Sequence, residues 1–499
     1  MRYFNETDND MNNNKNSDMD YEKVGLMVGI EIHQQLDCGK LFCRCPGYLR
    51  KEEPHFIVRR KLHKVAGETG EVDSAVEYET SLDKTFEYQG YDDTTCLIEL
   101  DEEPPKEINE GALDEVIKIA LLMNCEINPV AQIMRKTVVD GSNTSGFQRT
   151  VLIAQDGWIE TSFGDVPIQG IYLEEDSCRT ILKDKKNSVY RLDRLGIPLV
   201  EITTAPAMNK PEQVKEAALK IGEILRACRV RRGIGTIRQD LNVNIKKHGI
   251  IEIKGFQEPK MMIETIGKEI LRQQAELAAG KDSHEVRNAL LSGETEFLRP
   301  MPGKARMYPE TDLPLLKIGR EKINQIKKVL PKLKHEIRDE LKKKGLSDEL
   351  VDLVLDGNLD EFEVLTKGYE KDASLVAKMI TLWRKEFASK EKKSFEEMKD
   401  LLTENVLEKI LEAVKSGKIG KDDAKKVMGE IVAGKKIESA LKIEKISHDD
   451  LEEEIARIVK EKPGLRPNAY MGLVMAKFKG KLDAKKAMEL VGRVLGGAG

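Results

Sequence analysis

The run from Val24 to His33 is apolar and rich in β-branched residues until Glu31 and His33 punctuate it. Side chains two apart share one face of a strand, so Ile30 and Ile32 can bury on one side while Glu31 and His33 project together from the other. The segment from Asp240 to Ile245 alternates in the same way, with Leu241, Val243 and Ile245 against Asp240, Asn242 and Asn244. Asp and Asn are depleted in strands, so a whole face of them is a costly choice. Ile168 to Tyr172 leads into Leu173-Glu174-Glu175-Asp176, and Ile197 to Ile202 sets Glu201 alone in a run that otherwise reads as core. A buried carboxylate needs a cation, a donor or water beside it.

Helical periodicity interrupts these strands twice. Leu113, Val116, Ile117, Ala120 and Leu121 form one stripe; Val214, Ala217, Ala218, Ile221, Leu225 and Cys228 form another, opened by Asn209 as cap and Pro211 in the first turn. The pattern predicts an α+β domain over residues 21–316. Beyond Leu316 the sequence turns to Lys, Glu and Leu with few β-type runs, which predicts an all-helical region over 317–393. Ser394-Phe395-Glu396-Glu397 reads as a capping box that opens a helical tail domain over 394–499. In that tail Met471, Val474, Met475 and Phe478 recur at helical spacing, a stripe that reads as core.

Composition narrows the possibilities. A chain of 499 residues holds roughly two to four domains. Its net charge of -5 gives no global basic signature for nucleic acid, but from Lys460 onward nine Lys or Arg face three acids. Such an end suits either a polyanion or a solvated helix face. Seven cysteines and no apolar leader predict a reducing, cytoplasmic setting without a disulfide framework. No stretch approaches the length needed to span a membrane, and residues 1–20, rich in Asn and Asp, read as a disordered N-terminus.

The polar strand faces are candidates for metal chemistry. Carboxylates suit magnesium, whereas the His33 imidazole is better matched to zinc or manganese, or to magnesium through water. Arg191, Arg194, Arg238 and Lys254 lie beside the acidic strands and could steer phosphates, or serve as structural partners of Asp193 and Asp240. Cys43, Cys45 and Cys96 could supply thiolates to a structural zinc, with Cys38 or His63 as the fourth ligand; ordinary buried thiols are the alternative. There is no P-loop, and Gly233-Ile234-Gly235 lacks the third glycine of a dinucleotide fingerprint. Neither a GxSxG elbow nor a marked nucleophilic cysteine is present, so an amidase reaction has no visible home.

Five motifs in order carry a resemblance: Val28 to Leu36 (VGIEIHQQL), Lys40 to Pro46 (KLFCRCP), Leu173 to Asp176, Asp193 to Ile202 (DRLGIPLVEI) and Met301 to Asp312 (MPGKARMYPETD). From about Val24 to the C-terminus the chain resembles the B/E family of tRNA-dependent amidotransferase subunits, and most of all its archaeal E branch. The resemblance implies a cradle-like kinase domain with a mixed β-sheet, a helical domain and a tail that grips tRNA. It implies ATP-dependent phosphorylation of the γ-carboxylate of glutamate on Glu-tRNA(Gln), then amidation to Gln-tRNA(Gln). Ammonia would come from an asparaginase-like partner, the D-type subunit, in a heterodimer or a dimer of heterodimers. Carried over, the Mg2+ site falls on Glu31, His33, Glu175 and Glu201, with Asp240 in the same catalytic pocket. One departure stands out. E members carry a synthetase-like insertion, yet here a short segment joins Arg272 to Phe297, too little chain to fold as a domain. The B-type subunit of the heterotrimeric Asp/Glu-tRNA amidotransferase, which lacks the insertion, and a non-catalytic tRNA-binding scaffold are the alternatives.

Overall fold

A computed structural model describes residues 19–63, 74–184, 186–256, 258–301, 303, 307–442, 448–477 and 484–496. The expected N-terminal disorder therefore lies almost wholly outside the described residues, as do Lys304 to Arg306 of the last motif and Phe478 of the tail stripe. The chain divides into two units, Met1–Leu333 and Lys334–Gly499.

The first unit is α+β. Its large sheet runs in the spatial order Thr295–Pro300, Glu285–Ala289, Ile251–Phe256, Ile237–Asn244, Met27–Gln35, Pro198–Thr204, Gly164–Glu175, Phe147–Thr161, Ile133–Thr137 and Met307–Pro309, with Glu126–Ile127 paired to Phe147–Thr161. The pairing of Ile251–Phe256 with Glu285–Ala289 is parallel, which makes the sheet mixed. Met27–Gln35 lies at the centre, antiparallel to Pro198–Thr204 on one side and Ile237–Asn244 on the other.

The alternation read from the sequence sorts the two faces. Val28, Ile30, Ile32, Val200, Ile202, Leu241 and Val243 bury against helices Glu110–Leu122, Pro211–Ala227 and Pro259–Ala278 in one hydrophobic core. Each fully buried aliphatic side chain there contributes about 1.5–3 kcal/mol, enough to fix the strand register, because a one-residue slip would turn Glu31 and His33 into that core. Asn109 caps the first helix through a hydrogen bond from the Ala112 backbone, 3.2 Å. The second starts at Pro211 as expected, but Asn209 is not its cap. The Gln213 carboxamide oxygen instead accepts from the backbones of Asn209 and Lys210, at 2.9 and 3.2 Å.

A smaller sheet, ordered Phe56–Arg60, Thr85–Gly90, Asn187–Arg191 and Arg179–Lys183, holds a loop against the polar face of the large one. The Tyr88 and Tyr190 hydroxyls donate to the carbonyls of Gly141 and Asp140, at 2.8 and 3.0 Å.

The first unit outlasts the expected boundary at Leu316. Ile318 and Ile326 join its core, and Lys322 on helix Arg320–Lys327 pairs with Asp114 at 2.7 Å. The second unit is helical. Its main core runs from Leu341 to Ala440, and a separate cluster from Ile455 to Val491 joins the last three helices. The capping box at Ser394 is formed: the Glu397 backbone donates to its hydroxyl at 3.2 Å, and Glu397 accepts from its backbone at 2.7 Å. It marks a helix start and not a break in packing, since Phe387 and Met398 share one core across it. Val474 of the methionine stripe is buried, with Met471 packed beside it.

Candidate functional site

Above the centre of the large sheet, on the polar face, is a cavity of about 640 Å³. Antiparallel register assembles it: Glu31 lies opposite Asp240, and His33 lies between Glu201 and Arg238. The His33 Nε2 atom stands 3.3 Å from Glu31 Oε1 and 3.2 Å from Glu201 Oε2. Two groups of side chains could each hold an ion, Glu31–His33–Asp240 and His33–Glu174–Glu201, and they share the imidazole.

Four of the expected residues, Glu31, His33, Glu201 and Asp240, are thus brought together. Glu175 is not. It follows Glu174 in the strand and so faces the opposite way; its carboxylate meets Arg149 instead, whose backbone and guanidinium donate to it at 3.3 and 3.4 Å. Glu174 takes the cavity position, accepting from Lys136 at 2.7 Å and Gln148 at 2.9 Å.

The expected basic residues also separate. Arg238 and Lys254 line the cavity, the first 3.2 Å from Asp176 and the second 2.9 Å from Asp240. Arg194 stands behind the wall, donating to the carbonyls of Ser177 and Cys178 at 2.8 and 2.7 Å. Arg191 belongs to the small sheet, where it donates to Gln89 and lies over the Tyr91 ring. Sequence reading missed Lys136, Glu174, Asp176, Glu252 and Arg299, all in the cavity wall. Glu174 and Asp176 gave a signal as neighbours of Glu175, and Glu252 as the residue two before Lys254 in an alternating run.

Six carboxylates (Glu31, Glu174, Asp176, Glu201, Asp240, Glu252) face four permanent cations (Lys136, Arg238, Lys254, Arg299) across this space. The surplus is negative, and its cost shows in the titration of the groups. Burial, reinforced by Glu201, pushes the Glu31 carboxyl up to about 7. Burial and the same neighbour raise Glu174 against the pull of Lys136. Burial also opposes ionisation of Glu201, but Lys136 and His33 outweigh it and hold that carboxyl below the usual range. At His33 burial is outweighed by Glu201, so the imidazole holds its proton more tightly than a free one. Its Nδ1 is buried with no partner. Converging oxygens, an imidazole with an unsatisfied nitrogen and a negative surplus form a donor set that fits a divalent cation.

A second ligand cluster lies apart. Cys43, Cys45 and Cys96 come together as expected, but neither Cys38 nor His63 completes the set; Glu99 does. Cys43 Sγ donates to Glu99 Oε1 at 2.9 Å, and the buried Lys40 ammonium lies 3.1 Å from the same oxygen. Hydrogen bonds from Cys43 and Cys96 pull the Cys45 thiol down to about 4, while those to Cys45 and Cys96 push Cys43 up. Three cysteine sulfurs and a carboxylate within reach of one another are a set that a structural zinc could use. The Cys38 thiol, by contrast, is pushed up to about 11 by burial.

The chain is thus an α+β protein with an acidic cavity over the centre of a large mixed sheet. Residues 26–324 match the GatB/GatE catalytic domain. The chain is 36% identical to the E-type subunit of glutamyl-tRNA(Gln) amidotransferase from Methanocaldococcus jannaschii, over 96% of this chain and 99% of that protein. Against the proteins of the same name from Methanococcus maripaludis and Methanobrevibacter smithii it is 33% and 32% identical, over 94% and 95% of its length and 98% and 99% of theirs. The chain belongs to the GatB/GatE family. The first comparison spans 631 positions although this chain has 499 residues, so the relative carries a domain-sized number of positions with no counterpart here.

Proposed function

We propose that this protein is the kinase and transamidase subunit of a glutamyl-tRNA(Gln) amidotransferase, a ligase that converts Glu-tRNA(Gln) to Gln-tRNA(Gln) at the expense of ATP. The observation that carries the reading is the convergence of Glu31, Glu174 and Glu201 on His33 in a family-matched domain. An oxygen of the substrate's γ-carboxylate attacks the terminal phosphorus of ATP and ADP departs. Ammonia then attacks the acyl carbon and inorganic phosphate leaves. Activation is needed because a carboxylate is a poor electrophile and an acyl phosphate a good one.

In this reading Glu31, His33, Glu174, Glu201 and Asp240 hold Mg2+, which when bound neutralises phosphate charge. Lys136, Lys254, Arg238 and Arg299 orient the anionic groups of ATP and the substrate carboxylate, the work that dominates phosphoryl transfer. The small sheet and the loop it holds form the second wall of the cradle. The cysteine cluster holds a structural Zn2+ through Cys43, Cys45, Cys96 and Glu99.

The chain carries no marked amidase nucleophile, so ammonia comes from glutamine hydrolysed by an asparaginase-like partner in a cytoplasmic heterodimer. Among the described residues no helix is long and apolar enough to cross a membrane. The basic tail adds affinity for tRNA. The test is reconstitution with that partner, ATP, glutamine and either Glu-tRNA(Gln) or Asp-tRNA(Asn), followed by chromatography of the released amino acid. Glutamine from the first is expected. Asparagine from the second would favour the B-type branch of the family, and no amide from either would leave a tRNA-binding scaffold.

A further inference from the structure

Asp176 is a buried carboxylate of the cavity wall that belongs to neither candidate ion group. Its oxygens are taken by donors. Oδ2 accepts from the Gln35 side chain at 2.6 Å, and Oδ1 accepts from the Ser177 backbone at 2.9 Å and from the Arg238 guanidinium at 3.2 Å. Its backbone is fixed as well, donating to the Ile197 carbonyl at 2.7 Å and accepting from the Gly196 N–H at 2.9 Å. Burying a carboxylate costs several kcal/mol, so a rigid anion that holds no ion calls for another task.

Its two arginines are used differently. Arg194, 3.7 Å from Oδ2, is taken up by the adjoining turn, where it donates to the carbonyls of Ser177 and Cys178. Arg238 is held through Nη2 alone; among the described residues its guanidinium makes no other hydrogen bond or ion pair, and its side chain is 40% exposed. In the sheet, two strands lie between Gly164–Glu175, which Asp176 follows, and Ile237–Asn244, which carries Arg238. Three strand spacings are about 14 Å, so Arg238 extends over the cavity floor to reach its partner. A nearer carboxylate exists. Asp240 is two residues along the same face of the same strand, about 7 Å away, and in a cavity with a negative surplus an untethered guanidinium would fall on it and compete with a cation there.

We infer that Asp176 is a positioning residue that acts through Arg238: it holds the guanidinium by one nitrogen, off the cation ligands, and presents the remaining N–H groups to the oxyanion that the cavity takes. The inference rests on the functional reading above and deepens it. Two oxyanions meet in that reaction, the terminal phosphate of ATP and the γ-carboxylate that attacks it, and a planar guanidinium suits either.

The test compares wild type with Asp176→Asn, Arg238→Ala and the double variant in two assays: ADP release with ATP and Glu-tRNA(Gln), and calorimetric titration of inorganic phosphate in the presence of Mg2+. Misplacing a group by about 1 Å costs about 10² in rate, so Asp176→Asn should lower kcat by about that factor, and the double variant should be no slower than Arg238→Ala. Guanidinium ion at a non-denaturing concentration should restore part of the Arg238→Ala rate and none of the double variant's, because Asp176 is what seats it. A carboxylate with a merely structural role gives no such difference in rescue. A raised KM for ATP in Asp176→Asn assigns the oxyanion to phosphate, and a raised KM for Glu-tRNA(Gln) assigns it to the γ-carboxylate; both support the inference. Should melting show that Asp176→Asn does not fold, Gln35→Met, which removes only the 2.6 Å donor, carries the comparison, with a severalfold loss that disappears in the Arg238→Ala background. Losses that multiply in the double variant overturn the inference, as does equal guanidinium rescue with and without Asp176, or a normal rate in Asp176→Asn. Wild type that releases no ADP removes the functional reading; the positioning role then stands if phosphate affinity falls alike in Asp176→Asn and Arg238→Ala, and falls with that reading if it does not.

Discussion

The sharpest test of the cavity is a comparison of two adjacent residues, Glu174→Gln and Glu175→Gln. The resemblance assigned the metal to Glu175, whereas the strand geometry gives the cavity to Glu174. Gln at 174 removes one of the proposed ligands and leaves Lys136 paired with Glu201 at 3.5 Å. Loss of one preorganised charge at a phosphoryl-transfer site costs about 10²–10³ in rate, or about 3–4 kcal/mol in the barrier. Gln at 175 removes one of two carboxylates on Arg149, which keeps Glu310 at 2.7 Å. A buried hydrogen bond to a charged group is worth about 1.5–3 kcal/mol, so this variant should lose about 2 kcal/mol of stability and keep acyl-phosphate formation within a few-fold of wild type. The assay is ADP release in the presence of Glu-tRNA(Gln) without ammonia, with Mg2+ titrated by calorimetry and melting followed in parallel. If Glu175→Gln abolishes both Mg2+ binding and ADP release while Glu174→Gln is near normal, the placement of the site is wrong.

Three further outcomes follow from the same groups. Because the folded Glu31 carboxyl titrates near 7, above its unfolded value of about 4.5, its contribution to stability is present at low pH and lost as pH rises through 7. In chelator the protein should lose about 3 kcal/mol across that window, Glu31→Gln should flatten the profile, and saturating Mg2+ should do the same for wild type in a melting series. Cys45→Ser should abolish zinc binding, read by atomic absorption on purified protein, while Cys38→Ser should leave it unchanged; equal zinc in both would refute the Glu99-completed set. In the helical unit, buried Arg384 pairs with both oxygens of Glu361 at 2.6 Å, so Arg384→Met should destabilise that unit by about 3–5 kcal/mol in urea unfolding, with the double variant Arg384→Met/Glu361→Leu recovering much of the loss.

The contrast between Glu174 and Glu175 shows where sequence stops being legible. Period-two alternation tells which residues share a face, and it placed Glu31 with His33 and Asp240 with Asn242 correctly because apolar neighbours fixed the sense of each strand. Glu174, Glu175 and Asp176 sit at a strand end, where no apolar residue follows to fix that sense, so the acidic run alone cannot say which carboxylate looks inward. Lys136 was invisible for another reason. Its strand, Ile-Met-Arg-Lys-Thr, alternates weakly, and its role depends on pairing with Phe147–Thr161, which sets Lys136 opposite Gln148 and both beside Glu174. Cross-strand register is a non-local fact. The same limit hid Glu99, which joins Cys43 and Cys45 across more than fifty residues of chain. Element types were more visible than boundaries, since the capping box at Ser394 predicts a helix start that is present, but says nothing of whether the packing breaks there.

His33 joins these observations into a single constraint on the metal. Its Nε2 is within hydrogen-bond reach of two carboxylates on neighbouring strands, yet a neutral imidazole can donate from that nitrogen only by leaving Nδ1, which is buried and unpartnered, as an unsatisfied acceptor. A protonated imidazole satisfies the carboxylates but buries a second unused donor. A cation at Glu31 and Glu201 would instead meet the Nε2 lone pair, leave the one remaining proton on Nδ1 as in any neutral imidazole, and offset the Glu201 repulsion that adds to burial in raising Glu31. His33→Gln therefore separates the cases. Gln retains a donor, so if His33 only bridges carboxylates, Mg2+ affinity should be preserved; if it ligates, affinity should fall by at least tenfold, and a softer ion such as Mn2+, which favours nitrogen more than Mg2+ does, should lose more than Mg2+. Equal losses for the two ions would point to contact through water, and an unchanged affinity for both would remove His33 from the site.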